Sequence, residues 1–398
     1  MARSRPCIQC GKCLEVCPLL RATGREELGP RAKALLAELA DAVERGESDI
    51  SVKNVAELAG LCLGCHRCEA VCSQGVRPAA AVARLRAGHP GWRNWLWKRW
   101  METPRMWRLA GGAAHLVPGG EAQGAGPTGS DRLRRAATLL RGLGESPRIT
   151  PFLAVGEIDK KLQKEQVVVF HGCVSSYVAR NRRQAAENLL RAAGAQLADA
   201  GFQCCGAPLA TAGCVAEAAA LRAGNVAAWR AAGRPRIALY CASCRHGLAA
   251  YADVENGGLF ADEAERCKWL DSLTPISALL MDARFVVLEN APAGVAYHRP
   301  CHAAAPDTDA ALLARILGGR FRELSKDACC GFGGVLQLGA PELAARVAED
   351  LWTGARTSAR LMPGDAVLTG CSACAVQLAA TAPGGVAAAH WLDALVRD

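Results

Sequence analysis

The start of the chain has no succession of basic, apolar and small residues such as precedes a secretory cleavage site, and Cys7 already interrupts any apolar segment there. A cytoplasmic protein is expected. Long apolar runs are missing too. The longest uncharged stretch, Ala366 to Leu392 with His390 counted neutral, could in principle span a bilayer, but it carries Cys371 and Cys374 and is broken by Pro383-Gly384-Gly385. It reads as buried core. No Gly-x-Gly-x-x-Gly follows a strand pattern and no phosphate-binding P-loop is present, which argues against a nucleotide or dinucleotide site on this chain. Strands with interleaved aromatic and basic residues are also lacking, so no nucleic-acid partner is expected.

Cysteine is what the chain has in excess: 20 among 398 residues. The length suffices for two or three domains with proper cores. Dense Cys-x-x-Cys spacing without a secretory leader points to metal-cluster ligation in a reducing compartment rather than to disulfides. The net charge of +9 is localised, because residues 77–148 hold 13 Lys/Arg against 4 Asp/Glu and the remainder is neutral. Such a basic segment suits an acidic partner or a membrane surface.

Two cysteine runs dominate the N-terminal part. Cys7-Ile8-Gln9-Cys10-Gly11-Lys12-Cys13-Leu14-Glu15-Val16-Cys17-Pro18 is the C-x2-C-x2-C-x3-C-P run of bacterial ferredoxins. Cys62, Cys65, Cys68 and Cys72 repeat it, with Ser73 in place of proline. In such runs three cysteines serve one cube and the fourth serves the other. Cys7, Cys10, Cys13 and Cys72 are therefore expected at one cubane [4Fe-4S] cluster, and Cys62, Cys65, Cys68 and Cys17 at a second. The 44 intervening residues exceed what a compact ferredoxin needs, and a helix over 32–43 is expected to bury Leu35, Leu36, Leu39 and Val43. Residues 1–90 resemble the helical two-cluster ferredoxin domain of succinate and glycolate dehydrogenase iron–sulfur subunits, a likeness that Leu28-Gly29-Pro30-Arg31 strengthens.

The C-terminal half is duplicated. Cys173, Cys204-Cys205-Gly206 and Cys241-Ala242-Ser243-Cys244 recur as Cys301, Cys329-Cys330-Gly331 and Cys371-Ser372-Ala373-Cys374, at offsets of 128, 125 and 130 residues. Each copy offers five thiols, one more than a zinc site or a cubane cluster uses. A pair of structural zinc sites with a spare thiol each is the competing reading, and the same surplus in both copies argues against it. The pattern resembles the CCG-type cysteine-rich domain of heterodisulfide reductases and of the iron–sulfur subunits of glycolate, lactate and anaerobic glycerol-3-phosphate dehydrogenases. That resemblance implies up to two noncubane [4Fe-4S] clusters. One would use Cys173, Cys204, Cys205, Cys241 and Cys244; the other Cys301, Cys329, Cys330, Cys371 and Cys374. Each cluster is expected to draw its thiols from its own repeat.

The expected fold is α/β with a mainly helical N-terminal part: a helical ferredoxin domain (1–90), a Trp-rich basic helical segment with a Gly/Pro linker (91–165), and two α/β cysteine-rich domains (166–290 and 291–398). Strands at 167–170, 196–198 and 237–240, then 294–297, 321–324 and 366–369, alternate with helices near 178–193, 214–232, 308–318 and 341–360. Alternation of this kind implies parallel units with the cysteines at the carboxyl ends of the strands. In the segment 92–108, Trp92, Trp95, Leu96, Trp100 and Trp107 are placed on one helical face, with a break at Pro104. An internal strut is favoured over a membrane-surface helix, because charges such as Arg99 interrupt that face. Residues 111–130 read as a linker and 131–165 as helical. His171, His246, His298 and His302 lie beside the cysteines and could tune a cluster or move protons. Cys214 and Cys267 fall outside every motif and are expected to be inert buried thiols. No catalytic residue is assigned.

Up to four clusters with no organic cofactor site describe an electron relay. The resemblance implies an FAD-containing dehydrogenase as partner, acting on a 2-hydroxy acid such as glycolate or lactate, with a quinone-reactive or cytochrome b membrane protein as a further partner. Location would then be cytoplasmic or peripheral on the inner face of the membrane. A heterodisulfide reductase-like catalytic subunit and an anaerobic glycerol-3-phosphate dehydrogenase iron–sulfur subunit are the alternatives.

Overall fold

Val167-Val168-Val169-Phe170 is a continuous apolar run because its strand is covered on both faces, as parallel strands are. In the computed structural model, which describes residues 7–47, 50–114, 140, 149–253 and 258–396, two four-stranded parallel sheets carry the C-terminal half. The strands are β1 (Leu153–Val155), β2 (Gln166–Phe170), β3 (Gln196–Ala198), β4 (Arg236–Leu239), β5 (Leu273–Pro275), β6 (Phe285–Val287), β7 (Val295–His298), β8 (Phe321–Glu323), β9 (Ala366–Thr369) and β10 (Ala387–His390). One sheet runs β3-β2-β4-β5 and the other β8-β7-β9-β10, the same order in each repeat. The N-terminal part is helical, so the whole is α/β with a helical ferredoxin region ahead of two duplicated α/β units.

The two repeats share one core. Val167, Val169 and Tyr240 of the first pack in a single cluster with Val295, Tyr297, Leu312 and Leu368 of the second. An antiparallel ribbon of β1 and β6 flanks them, and the chain's end closes on it: Phe152 N–H donates to Ala394 O at 2.9 Å and Val396 N–H to Leu153 O at 2.8 Å. Beneath lies a buried ion pair, Arg182 to Asp393 at 2.7 Å, joining the helix Arg180–Ala192 to the final turn.

Several expectations are corrected. β5 and β10 were not anticipated; both are short and β10 is Ala-Ala-Ala-His, which carries no β-branched signal. Residues 153–155 form a strand, not helix; most of 131–148 and all of 115–130 lie outside the described residues. Helix Pro104–Ala114 runs through Gly111-Gly112, where a linker was expected to begin.

In helix Pro30–Glu44, Leu35 is exposed and Lys33 is buried in its stead. The Lys33 ammonium donates to Leu58 O (2.8 Å) and Glu27 O (3.3 Å), which satisfies a charge that apolar periodicity would have put outside. Burial pushes its pKa down to about 8.

The tryptophan segment also presents a different face. Helix Trp92–Glu102 buries Trp97 and Met101, while Trp92 and Trp95 are about two-thirds exposed, at 65% and 66%. Trp97 is wedged between the repeats: its indole N–H donates to Pro208 O at 3.1 Å, and its ring shares a core with Leu209 of the first repeat and Val335 of the second. Lys98 pairs with Glu217 and Asn94 donates to Ala212 O, both on the first repeat. Trp107 stacks on Trp100 at 5.3 Å and donates to its carbonyl.

Candidate metal centres

Each ferredoxin run winds its backbone round its own thiols. In the first, Gln9 (φ 55°) and Gly11 (φ 81°) are left-handed; in the second, Gly64 (φ 64°) and His66 (φ 57°) occupy the matching positions and are left-handed too. A left-handed Gln and His are unfavourable unless the surroundings demand them. This backbone groups the thiols as two crossed sets. Cys13 is raised by burial and by neighbouring Cys7, Cys10 and Cys72. Cys68 is raised by burial and then by Cys62, Cys65 and Cys17 among its neighbours. The last cysteine of each run thus sits with the first three of the other. Backbone N–H groups point at sulfur, Gly64 to Cys62 Sγ at 3.4 Å and Val76 to Cys72 Sγ at 3.3 Å.

In the cysteine-rich half, the strand registers Phe170↔Leu239 and His298↔Thr369 bring the loops carrying Cys173, Cys241, Cys301 and Cys371 to one edge of each sheet. In the first repeat the thiols of Cys173, Cys204, Cys205, Cys244 and Cys241 adjoin in turn, each shifting the pKa of the next. In the second, Cys329, Cys330, Cys374 and Cys371 adjoin in the same way, with a thiol hydrogen bond from Cys330 to Cys374 at 3.2 Å. Cys301 stands apart from this series; burial is the first cause of its raised pKa, followed by its neighbours Cys65, Cys330 and Cys371. Gly172 is required by close approach, since a Cβ there would come 2.6 Å from Cys244 Sγ at a φ of 67°.

The two sets are not separate. The Cys241 and Cys371 thiols are neighbours that shift one another's pKa, Ser372 N–H donates to Cys241 Sγ at 3.4 Å, and Ser243 Oγ lies 3.1 Å from Cys371 Sγ. Ala242 N–H donates to Gly370 O at 2.9 Å, so the two Cys-x-x-Cys helix starts face one another. The expected independence of the repeats meets this contact at the centre of the molecule.

The second ferredoxin loop is inserted between the repeats. Leu63 packs with Leu336, Leu343 and Val347. Arg86 donates to Cys62 O (3.0 Å) and across to Thr211 O (2.7 Å). His66, His246 and His302, one from each region, form a ring cluster in which His246 stacks on His302 at 4.2 Å. Burial holds His246 at about 4, and His302 is likewise well below the ordinary histidine value. The importance of His66, Arg67, Arg86 and Lys33 was not read from the sequence, although the first two sit inside the second run. His171 faces Glu187 at 3.5 Å. Cys267 is exposed on the helix Glu263–Ser272 and Cys214 is half-buried, against the expectation of buried thiols for both.

At the far end of the thiol series a cavity of about 420 Å³ opens over Cys173 and Cys204, lined also by Met101, His171, Tyr177 and Phe202. At the other end Cys10 is exposed. All 20 cysteines are free thiols. Soft donors in sets of four and five, with N–H groups aimed at sulfur, fit iron–sulfur clusters better than they fit any hard cation.

Comparison with known proteins agrees with this chemistry. The model of a 4Fe-4S dicluster domain matches residues 3–76, and that of a cysteine-rich domain matches residues 167–249 and again 295–379. The chain is 24% identical to the probable glycolate oxidase iron-sulfur subunit of Bacillus subtilis, over 94% of this chain and 87% of that protein. It is 25% identical to a subunit of the fumarate reductase (CoM/CoB) of Methanothermobacter marburgensis, over 94% of this chain and 67% of that one. Against a subunit of the dihydromethanophenazine:CoB–CoM heterodisulfide reductase of Methanosarcina acetivorans the identity is 24%, over 86% and 81%. No helix among the described residues is long and apolar enough to cross a membrane.

Proposed function

We propose, for a chain that belongs to the iron–sulfur proteins joining a 4Fe-4S dicluster domain to two CCG cysteine-rich domains, that it is the electron-transfer subunit of a flavin-linked 2-hydroxy-acid dehydrogenase. It would take electrons from an FAD-containing partner oxidising glycolate or lactate and deliver them to quinone or another acceptor. Bound clusters would supply one-electron carriers, two of them cubane [4Fe-4S] in the ferredoxin domain and up to two noncubane [4Fe-4S] at the CCG motifs. The eight ferredoxin cysteines and the two five-cysteine sets would hold them. A location in the cytoplasm or on the inner face of the membrane belongs to the same reading.

One observation carries it: the thiol sets neighbour one another in succession. It starts at exposed Cys10, passes through the Cys65 loop to Cys301 and Cys329, crosses at Cys371 and Cys241, and ends at Cys173 beside the cavity. Leu63 and Leu336 pack beside Cys329, and Trp97 beside Cys173 and Cys204. The test is purification without oxygen together with the neighbouring flavoprotein, followed by addition of glycolate or lactate. Substrate-dependent bleaching of the iron–sulfur absorption, with about sixteen irons per chain from four clusters of four, is the expected result. No bleaching with either acid in an iron-replete complex would sink the assignment.

The cavity over Cys173 and Cys204 favours a second reading, a heterodisulfide reductase-like subunit. A disulfide seated there would take up two electrons and two protons and leave as two thiols. Disulfide-dependent reoxidation of the reduced protein separates this from the first reading.

A further inference from the structure

The two cysteine-rich sites differ at a buried strand end. His298 ends β7 and pairs in register with Thr369 on β9; Phe170 ends β2 and pairs with Leu239 on β4. The offset from Phe170 to His298 is 128, the same as from Cys173 to Cys301, so the two residues occupy one place in the duplicated fold. In the first repeat that place is apolar, with Phe170 in the core beside Cys205 and Cys244. In the second an imidazole has replaced the phenyl ring and a threonine has replaced its leucine neighbour.

His298 is 1% exposed. Its Nδ1 lies 3.3 Å from Thr369 Oγ1, while its Nε2 is buried with no hydrogen-bond partner. An orphaned buried nitrogen is costly in a core and calls for an explanation. The ligating atoms of His298, Cys330 and Cys374 all lie within 4.8 Å of one another, and all three residues are buried. Cys330 and Cys374 are the counterparts of Cys205 and Cys244, which have no nitrogen donor in the corresponding position. A hydroxyl against one ring nitrogen, in an imidazole that lies beside thiols, is the usual support of a metal-bound histidine.

We propose that His298 Nε2 is a metal ligand of the C-terminal cysteine-rich site, giving its centre a nitrogen donor beside Cys330 and Cys374 that the N-terminal site lacks. This rests on the reading that these cysteines hold an iron–sulfur centre. The duplicated sites are then chemically distinct. A neutral imidazole donor makes a centre easier to reduce than thiolates alone, so the C-terminal centre has the higher potential of the two.

The test is pulsed electron paramagnetic resonance on the full chain, made without oxygen, with and without ¹⁵N-histidine, in wild type and His298→Phe. The expected result is a directly bonded nitrogen coupling in the wild type that changes with the isotope. In His298→Phe it disappears, with iron content retained and the two cysteine-rich potentials drawn together. A wild type without bonded nitrogen, or a coupling that persists in His298→Phe, overturns the proposal. If His298→Phe loses iron, the isotope comparison in the wild type, repeated in the milder Thr369→Leu, still decides. In that case an unchanged or weakened histidine coupling supports the proposal, and its absence from the wild type ends it. Were metal analysis to find zinc in the cysteine-rich half, the cluster reading would fail separately. The inference would then be read at the zinc absorption edge, where a nitrogen scatterer supports it and an all-sulfur shell overturns it.

Discussion

Arg67 of the second ferredoxin run donates to Asp327 O at 2.6 Å and Ala328 O at 2.8 Å, the two carbonyls immediately before Cys329. One guanidinium thereby fixes the distance between the ferredoxin loop and the Cys-Cys-Gly turn of the second repeat. Although burial opposes its charge, nearby Cys329, Cys301 and Cys65 raise the Arg67 pKa.

Arg67→Ala removes both bonds and is expected to cost about 1.5–3 kcal/mol of stability, the range for hydrogen bonds to charged groups. Reduction of the cysteine-rich centres through the ferredoxin domain should slow, while Arg67→Lys should restore part of the rate. Stopped-flow reduction at the separate cluster wavelengths checks this. An unaltered rate in a protein of lowered stability would show that the contact is structural alone.

Trp97→Ala should lower stability by about 3–5 kcal/mol, the scale for deleting a buried large aromatic side chain. The double change of Trp92 and Trp95 to Gln should leave the melting temperature nearly unmoved, since both rings are mostly exposed. Thermal melts of the two variants side by side decide. A membrane-surface role for the segment would instead show as lost vesicle binding in the double variant.

Cys241→Ser is expected to disturb both cysteine-rich centres, because the Cys241 thiol neighbours that of Cys371 and receives the Ser372 N–H. Cys204→Ser, at the far end of the first set, should leave the second centre's spectrum intact. Iron content with electron paramagnetic resonance of each variant separates the outcomes. Identical losses in the two variants would remove any special role for the central contact.

Asp309 lies buried beside Asp307, and burial, followed by that neighbouring carboxylate, raises its pKa from 3.8 to about 7. The folded protein therefore holds this proton between about pH 4 and pH 7, where the unfolded chain has released it. Stability falls as pH rises through that window and the cost is complete above about pH 7, on the order of 4 kcal/mol at about 1.4 kcal/mol per pH unit. Asp309→Asn should be more stable than wild type at pH 8, with the advantage shrinking towards pH 5. Denaturant unfolding at several pH values measures it, and an advantage independent of pH would count against the buried carboxyl as its source.

Much of the fold and the cysteine pattern were legible because they are local. Spacing within a run determines which thiols one turn of backbone can bring together, so both ferredoxin runs and the duplicated cysteine pattern could be read directly. The strands that carry Cys173, Cys241, Cys301 and Cys371 announced themselves as apolar runs, since a parallel strand buries both faces. Periodicity failed where burial was decided by a distant partner. Lys33 is inside because Leu58 O and Glu27 O await it, and Leu35 is outside in consequence. Trp97 is the buried ring of its helix because Pro208 and Val335 close around it from different repeats. Likewise the meeting of Cys241 with Cys371, and of His298 with Cys330 and Cys374, spans 130, 32 and 76 residues of sequence. The sequence by itself determined what donors each repeat offers. Only the packing of one repeat on the other, driven by their shared apolar core, decided that the two thiol sets adjoin, while the folding of the second repeat on itself brought His298 beside Cys330 and Cys374.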